Sequence, residues 1–270
     1  MENKQKIAVI GGGSWATAIV KMLTENKDKI GWYMRNMQSI EHIKANNHNP
    51  KYLSSADVDA QFLDLSDDIN YVVKNYSILI FAVPSAFLTS ELNKLKVSLT
   101  NKTIFSAIKG IVPETGLIIG EHFNEEFNIP LENIGVITGP CHAEEVAMER
   151  LSYLTVACID KEKAKFMAKS LESWYIKVKI SDDIIGTEYA AMLKNIYAVA
   201  AGIAHGLGYG DNFQSVLMSN AIREMKRFIK KVHKMKRNIN NSAYLGDLLV
   251  TGYSVFSRNR MFGNMIGKGY

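Results

Sequence analysis

IAVIGGGSWATA, residues 7–18, reads as a buried strand, a glycine turn and the start of a helix in direct succession. The spacing Gly11-x-Gly13-x-x-Ala16 matches the dinucleotide fingerprint with its permitted final Ala. The first glycine allows the tight turn. The second lets the backbone approach a pyrophosphate, which then rests on helix N-terminal N–H groups. A glycine triplet in an ordinary turn is the competing reading, and placement between strand and helix weighs against it. The unit continues with a helix over 15–23, a strand over 30–34 and a helix over 37–47.

Outward from there, short apolar runs alternate with helical stretches. Strands are expected at 77–83, 103–108, 134–138, 153–158 and 175–180, with helices at 87–96 (capped by Ser85), 142–150 and 162–173. That alternation implies an α/β Rossmann-type domain, a mostly parallel doubly wound sheet, over residues 1–183. No convincing strand follows Asp183, so 184–270 reads as an all-α C-terminal domain, with the boundary near 181–186. The stretch 226–237 holds seven Lys or Arg in twelve residues. Met225, Phe228, Ile229, Val232 and Met235 form an apolar stripe through it, so a core helix with a solvated basic face is expected rather than a nucleic-acid site.

Composition sets the class. Hydrophobic residues make up 47% of the 270 and charged residues 22%, which is globular. Two cysteines, Cys141 and Cys158, fit a reducing compartment and exclude a disulfide scaffold. The net charge of +5 suits a small anionic ligand without demanding nucleic acid. No apolar run approaches the ~18 residues of a membrane span, and the N-terminus lacks a signal-peptide pattern. A soluble, cytoplasmic protein is expected, without membrane insertion. The six histidines show no paired spacing with Cys or carboxylates, so no metal is expected.

Residues at strand exits supply the chemistry. At the end of the second strand Arg35 stands where a carboxylate would grip the ribose of NAD, which favours NADP over NAD. Lys109 follows its strand directly. Gly139 and Pro140 shape a turn before Cys141, His142 and Ala143. Asp247, Ser257, Arg258 and Asn259 concentrate donors and one carboxylate in a loop-like segment, a natural phosphate cradle. Lys194 is the one cation in an apolar helix, and it either snorkels to solvent or is held where its charge is used.

These blocks are similar, in order, to those of the bacterial-type NAD(P)-dependent glycerol-3-phosphate dehydrogenases. The resemblance is carried by IAVIGGGSWATA, FAVPS, SAIKG, GPCHAEEVA, LKNIYAVAAGIAHGLGYGDN and GDLLVTGYSVFSRNRMFG. It implies an oxidoreductase interconverting sn-glycerol 3-phosphate and dihydroxyacetone phosphate, which supplies glycerol phosphate for phospholipid synthesis. It further implies that Gly11, Gly13, Ser14, Trp15, Arg35 and Ala143 line the cofactor site and that Lys109 serves cofactor and substrate. Gly139 and Cys141 would touch substrate, and Lys194 would be the proton acceptor. Asp247, Ser257, Arg258 and Asn259 would hold the substrate, with Arg258 also near the cofactor. Position 141 is Cys where the family has Ser or Thr, a weaker donor. The chain ends at MIGKGY where the family continues with further helices, so an incomplete second domain is expected. Three readings stay open beside the main one: a related dehydrogenase acting on a hydroxy acid, a non-catalytic nucleotide-binding homologue, and a Cys141 nucleophile for aldehyde oxidation. The oligomeric state also stays open, a homodimer included.

Overall fold

The computed structural model describes residues 5–270; the reading of the extreme N-terminus, residues 1–4, lies outside them. The chain divides into two compact units. One ends at Ile137 and resumes over Cys141–Ile184; the other comprises Thr138–Pro140 and Ile185–Tyr270.

In the first unit the elements run β1 (Ile7–Ile10), α1 (Ser14–Thr24), β2 (Ile30–Tyr33), α2 (Met37–Asn46), β3 (Leu63–Ser66), α3 (Ile69–Asn75), β4 (Ile78–Phe81) and α4 (Leu88–Leu92). They continue as β5 (Thr103–Ser106), α5 (Ile119–Phe127), β6 (Ile134–Thr138), α6 (Ala143–Ala147), β7 (Ser152–Cys158), α7 (Lys161–Leu171) and β8 (Ile176–Ser181). One eight-stranded sheet has the order β3-β2-β1-β4-β5-β6-β7-β8. β1 pairs in parallel with β2 on one side and β4 on the other, so the strand order reverses at β1. A crevice opens at the carboxyl ends of strands at such a point.

The central strands β1 and β4 are continuous apolar runs because both faces of the sheet are covered there. Ile7 and Val9 enter one hydrophobic cluster while Ala8 and Ile10 enter the other, the two-residue alternation of an extended chain.

Sequence reading misses β3 and α3. LDLS is a half-buried edge strand without an apolar run. The α3 helix is only seven residues long; Asp68 caps it, accepting from the Asn70 N–H at 2.8 Å, and its apolar stripe is just Ile69, Val72 and Val73. Two helices are also much shorter than expected. The stretch from 87 to 96 holds only Leu88–Leu92, and Ser85 opens a short 3-10 turn instead of capping it. The helix expected over 142–150 is one turn, Ala143–Ala147, after His142.

His122 on α5 is buried against Phe123 and Phe127, with no hydrogen-bond partner at either ring nitrogen. Burial pushes its pKa below the usual imidazole value, and nearby Glu126 and Glu114 only partly offset this. The unfolded chain therefore binds a proton more readily than the folded one. Stability from this group is complete above about pH 6.5 and falls as the pH drops towards the lower folded value. In chemical denaturation from pH 7.5 down to 5, we expect the midpoint to fall and His122→Leu to flatten that slope.

In the second unit α8 (Ile184–Gly206), α9 (Asp211–Val232), a π-helical turn (Ser242–Gly246), α10 (Asp247–Tyr253) and α11 (Arg258–Gly267) follow one another. No strand occurs after Ser181 among the described residues. Glycines bring α8 and α11 into backbone contact. A Cβ on Gly202 would lie 2.1 Å from the Arg260 carbonyl oxygen, and one on Gly263 would lie 2.1 Å from that of Val199. Gly206 and Gly267 meet one turn further on. The apolar stripe expected over 225–235 is only half buried. Met225 and Ile229 are in the core, Phe228 and Val232 are exposed, and the helix ends before Met235. Among the described residues no helix is long and apolar enough to cross a membrane.

Candidate active site

The glycine turn of the first unit has the geometry that the sequence calls for. Gly11 has φ +136°, and a Cβ there would lie 2.5 Å from the Ala82 carbonyl oxygen at the end of β4. Only glycine fits. Its N–H donates to the Tyr33 carbonyl at 3.1 Å, and its own carbonyl accepts from the Trp32 indole at 2.7 Å. A Cβ on Gly13 would meet nothing within 4 Å, so the space before the α1 N-terminus is open. Ser14 begins α1, and Ala16 is fully buried where the helix packs on the sheet.

An unforeseen residue completes this turn. Asn49 is fully buried, and its amide donates to the Gly12 carbonyl at 3.2 Å and the Thr17 hydroxyl at 2.9 Å. Its side-chain oxygen accepts from the Lys51 and Tyr52 N–H groups. No spacing rule marks it, because it lies in a polar loop more than thirty positions away.

Arg35 stands just beyond β2, with 62% of its side chain exposed. It is not a free cation. Its guanidinium lies 3.4 Å from Glu91 Oε1 and 5.7 Å above the Phe87 ring. Glu91 is 1% exposed and also pairs with Lys94 at 2.8 Å. The Tyr33 hydroxyl donates to the same carboxylate at 2.8 Å. Burial first, then that hydrogen bond and charge, push the Tyr33 phenol far above its usual pKa. Two cations and a phenol thus hold one buried carboxylate beside the expected ribose position.

Lys109 follows β5, and its ammonium lies 5.5 Å from the Trp15 ring centre. Gly110, at φ +155°, brings the chain against Ser85, whose Oγ would lie 2.9 Å from a Cβ there. Cys141 is buried and forms no disulfide, and Ala143 opens α6.

The second unit gathers Lys194 and Asp247. Lys194, midway along α8, is 3% exposed, so it does not snorkel. Its ammonium donates to Asp247 Oδ1. Asp247 is 1% exposed, and its other oxygen lies 3.5 Å from the Thr138 hydroxyl. Gly139, with φ +124°, follows directly. A buried ion pair of this kind needs good geometry to offset the desolvation of both charges.

The segment from Asp247 to Asn259 is one helix, a short turn over 254–257 and the start of a second helix, rather than a single loop. Asp247 is the first residue of α10. Ser257 caps α11, accepting from the Arg260 N–H at 3.3 Å, so its hydroxyl proton remains available to a ligand. Arg258 and Asn259 then lie in the first turn of that helix. Sequence reading does not foresee the helices on which these residues sit.

A glycine-loop sheet and a helical unit carrying a buried Lys–Asp pair define a nucleotide-dependent oxidoreductase class. Family models narrow it. The N-terminal model of NAD-dependent glycerol-3-phosphate dehydrogenase matches residues 6–164, and the C-terminal model matches 183–270. The chain belongs to this family.

Curated relatives named glycerol-3-phosphate dehydrogenase [NAD(P)+] agree. The protein of an Exiguobacterium strain is 36% identical over 97% of this chain and 77% of its own. That of Macrococcus caseolyticus is 35% identical over 98% and 80%. A crystal structure of glycerol-3-phosphate dehydrogenase from Coxiella burnetii superposes with a TM-score of 0.88 at 27% identity, covering 99% of this chain and 81% of that one.

Proposed function

We propose that the protein interconverts sn-glycerol 3-phosphate and dihydroxyacetone phosphate with a nicotinamide dinucleotide, in the service of glycerophospholipid synthesis. The observation that carries this reading is the buried Lys194–Asp247 pair on a family-matched helical unit. The open space before Gly13 and the positive φ of Gly11 fit a bound pyrophosphate. The bound dinucleotide supplies a hydride acceptor or donor at the substrate carbon.

The remaining work falls to side chains. Oxidising a secondary alcohol removes a proton from oxygen as the hydride leaves carbon, and Lys194 takes that proton. In the reverse direction the Lys194 ammonium polarises the ketone and donates. The Asp247 carboxylate holds the ammonium in place, so reduction is the easier direction near neutral pH. Ser257, Arg258 and Asn259 supply hydroxyl, guanidinium and amide donors to the substrate phosphate. Asp247, Lys109, Gly139 and Cys141 take the further substrate contacts. Gly11, Gly13, Ser14, Trp15, Arg35, Lys109, Ala143 and Arg258 take those to the cofactor.

Arg35 favours NADP(H), because its exposed guanidinium can pair with a 2′-phosphate. We expect Arg35→Ala to lower kcat/KM for NADPH by about tenfold or more, the worth of one charged hydrogen bond, and to leave NADH within about twofold. Equal losses with both cofactors would remove the assignment.

A further inference from the structure

His42 and His48 lie six positions apart, on α2 and just after it, where no helical or metal-ligand spacing marks them. The structure nevertheless brings their Nε2 atoms to 3.1 Å. The rings stand at 80° with centroids 4.7 Å apart. His48 Nδ1 lies 2.9 Å from the Asn46 carbonyl oxygen. A carbonyl only accepts, so His48 carries its proton on Nδ1 and presents a lone pair at Nε2.

We propose that His42 and His48 form a two-imidazole seat for a divalent first-row metal ion of the copper, nickel or zinc type. Two imidazole nitrogens each about 2.1 Å from one ion lie about 3.1 Å apart when the angle at the ion is a little under 100°, and that is the separation of the two Nε2 atoms here. His42 need only move its proton to Nδ1 for both lone pairs to face that point.

The surroundings favour a cation. The seat lies at the C-terminal end of α2, where the helix dipole attracts positive charge. The His48–Asn46 bond is the outer-shell contact that orients a ligating imidazole. The backbone is already fixed. Asn47 adopts the left-handed conformation with φ 57°, and its N–H closes α2 on the Ile43 carbonyl. His48 itself pairs with Asp57 in an isolated antiparallel bridge.

Both rings are partly exposed, so water can complete the coordination. No group of three or more His, Cys, Asp or Glu able to hold a metal occurs among the described residues, so the seat has two imidazole ligands and exchanges its ion readily. Imidazole donors then bind Cu(II) more tightly than Zn(II). An ion here would tie the end of α2 to the strap that begins at His48 and carries Asn49, the residue that holds the glycine turn.

Titration of the chelator-treated full chain with Cu(II) and Zn(II) by calorimetry tests the seat, with Cu(II) electron paramagnetic resonance reading nitrogen couplings. His42→Gln and His48→Gln, singly and together, are the comparisons; the four other histidines remain as internal controls. We expect one ion per chain, at least about a tenfold loss of affinity in either single variant, and two imidazole couplings reduced to one. Metal affinity in the double variant equal to that of the unsubstituted chain would overturn the proposal. So would the absence of binding, which would leave the pair as a simple hydrogen bond.

Discussion

Lys194→Met is expected to lower kcat by about a thousandfold while NADPH still binds within about twofold, because it removes the proposed proton-transfer group and not the glycine turn. The substitution has a second effect that must be separated from the first. Lys194 is 3% exposed and donates to the buried Asp247 carboxylate. Removing the ammonium leaves that carboxylate unpaired in a dry environment, at a cost of about 3–5 kcal/mol. The single variant should therefore melt earlier as well as turn over slowly. Adding Asp247→Asn removes the stranded charge and should restore much of the melting temperature. Turnover should stay low, because no group remains to move the proton. Recovery of activity together with stability in the double variant would reduce Lys194 to a structural residue.

The second large effect belongs to Gly263. At an open helix position, glycine to alanine gains up to about 1 kcal/mol of helix propensity. Here the new Cβ would sit 2.1 Å from the Val199 carbonyl oxygen, with a second backbone atom at 2.9 Å. Both are main-chain atoms of α8, so no side chain can swing aside. Forcing the two helices apart costs about 1–3 kcal/mol, which outweighs the propensity gain. Gly263→Ala should therefore lower the melting temperature. It should also raise KM for the three-carbon phosphate, since Ser257, Arg258 and Asn259 open the same helix. Gly269→Ala, where a Cβ meets nothing within 4 Å, tests φ strain alone and should leave KM unchanged. An unaltered melting temperature in Gly263→Ala would show that the seam between α8 and α11 is more compliant than its geometry indicates.

Much of this was legible from residue types. The glycine turn is local chemistry. Gly11 is required by its own φ and by Ala82, and strand–glycine–helix order is visible in twelve consecutive letters. The strands β1, β4 and β6 are apolar runs between breakers, and β6 was bounded correctly at both ends. What was hidden depends on tertiary partners. The edge strand β3 is half polar because only part of it is covered. The partners of Lys194 and Arg35, Asp247 and Glu91, lie more than fifty positions away in sequence. Sequence alone could place Lys194 on an apolar helix but could not name the carboxylate holding it. The same limit applies to Asn49 and to the His42–His48 pair, which exist as arrangements only after α2 and its following strap are folded.

The most direct test of the account is to mix the purified chain with NADPH and dihydroxyacetone phosphate and to follow both cofactor absorbance and glycerol 3-phosphate formation. The account predicts substrate-dependent oxidation of NADPH with one glycerol 3-phosphate formed per cofactor consumed. NADPH binding without any substrate-dependent oxidation, with either NADPH or NADH supplied, would contradict it.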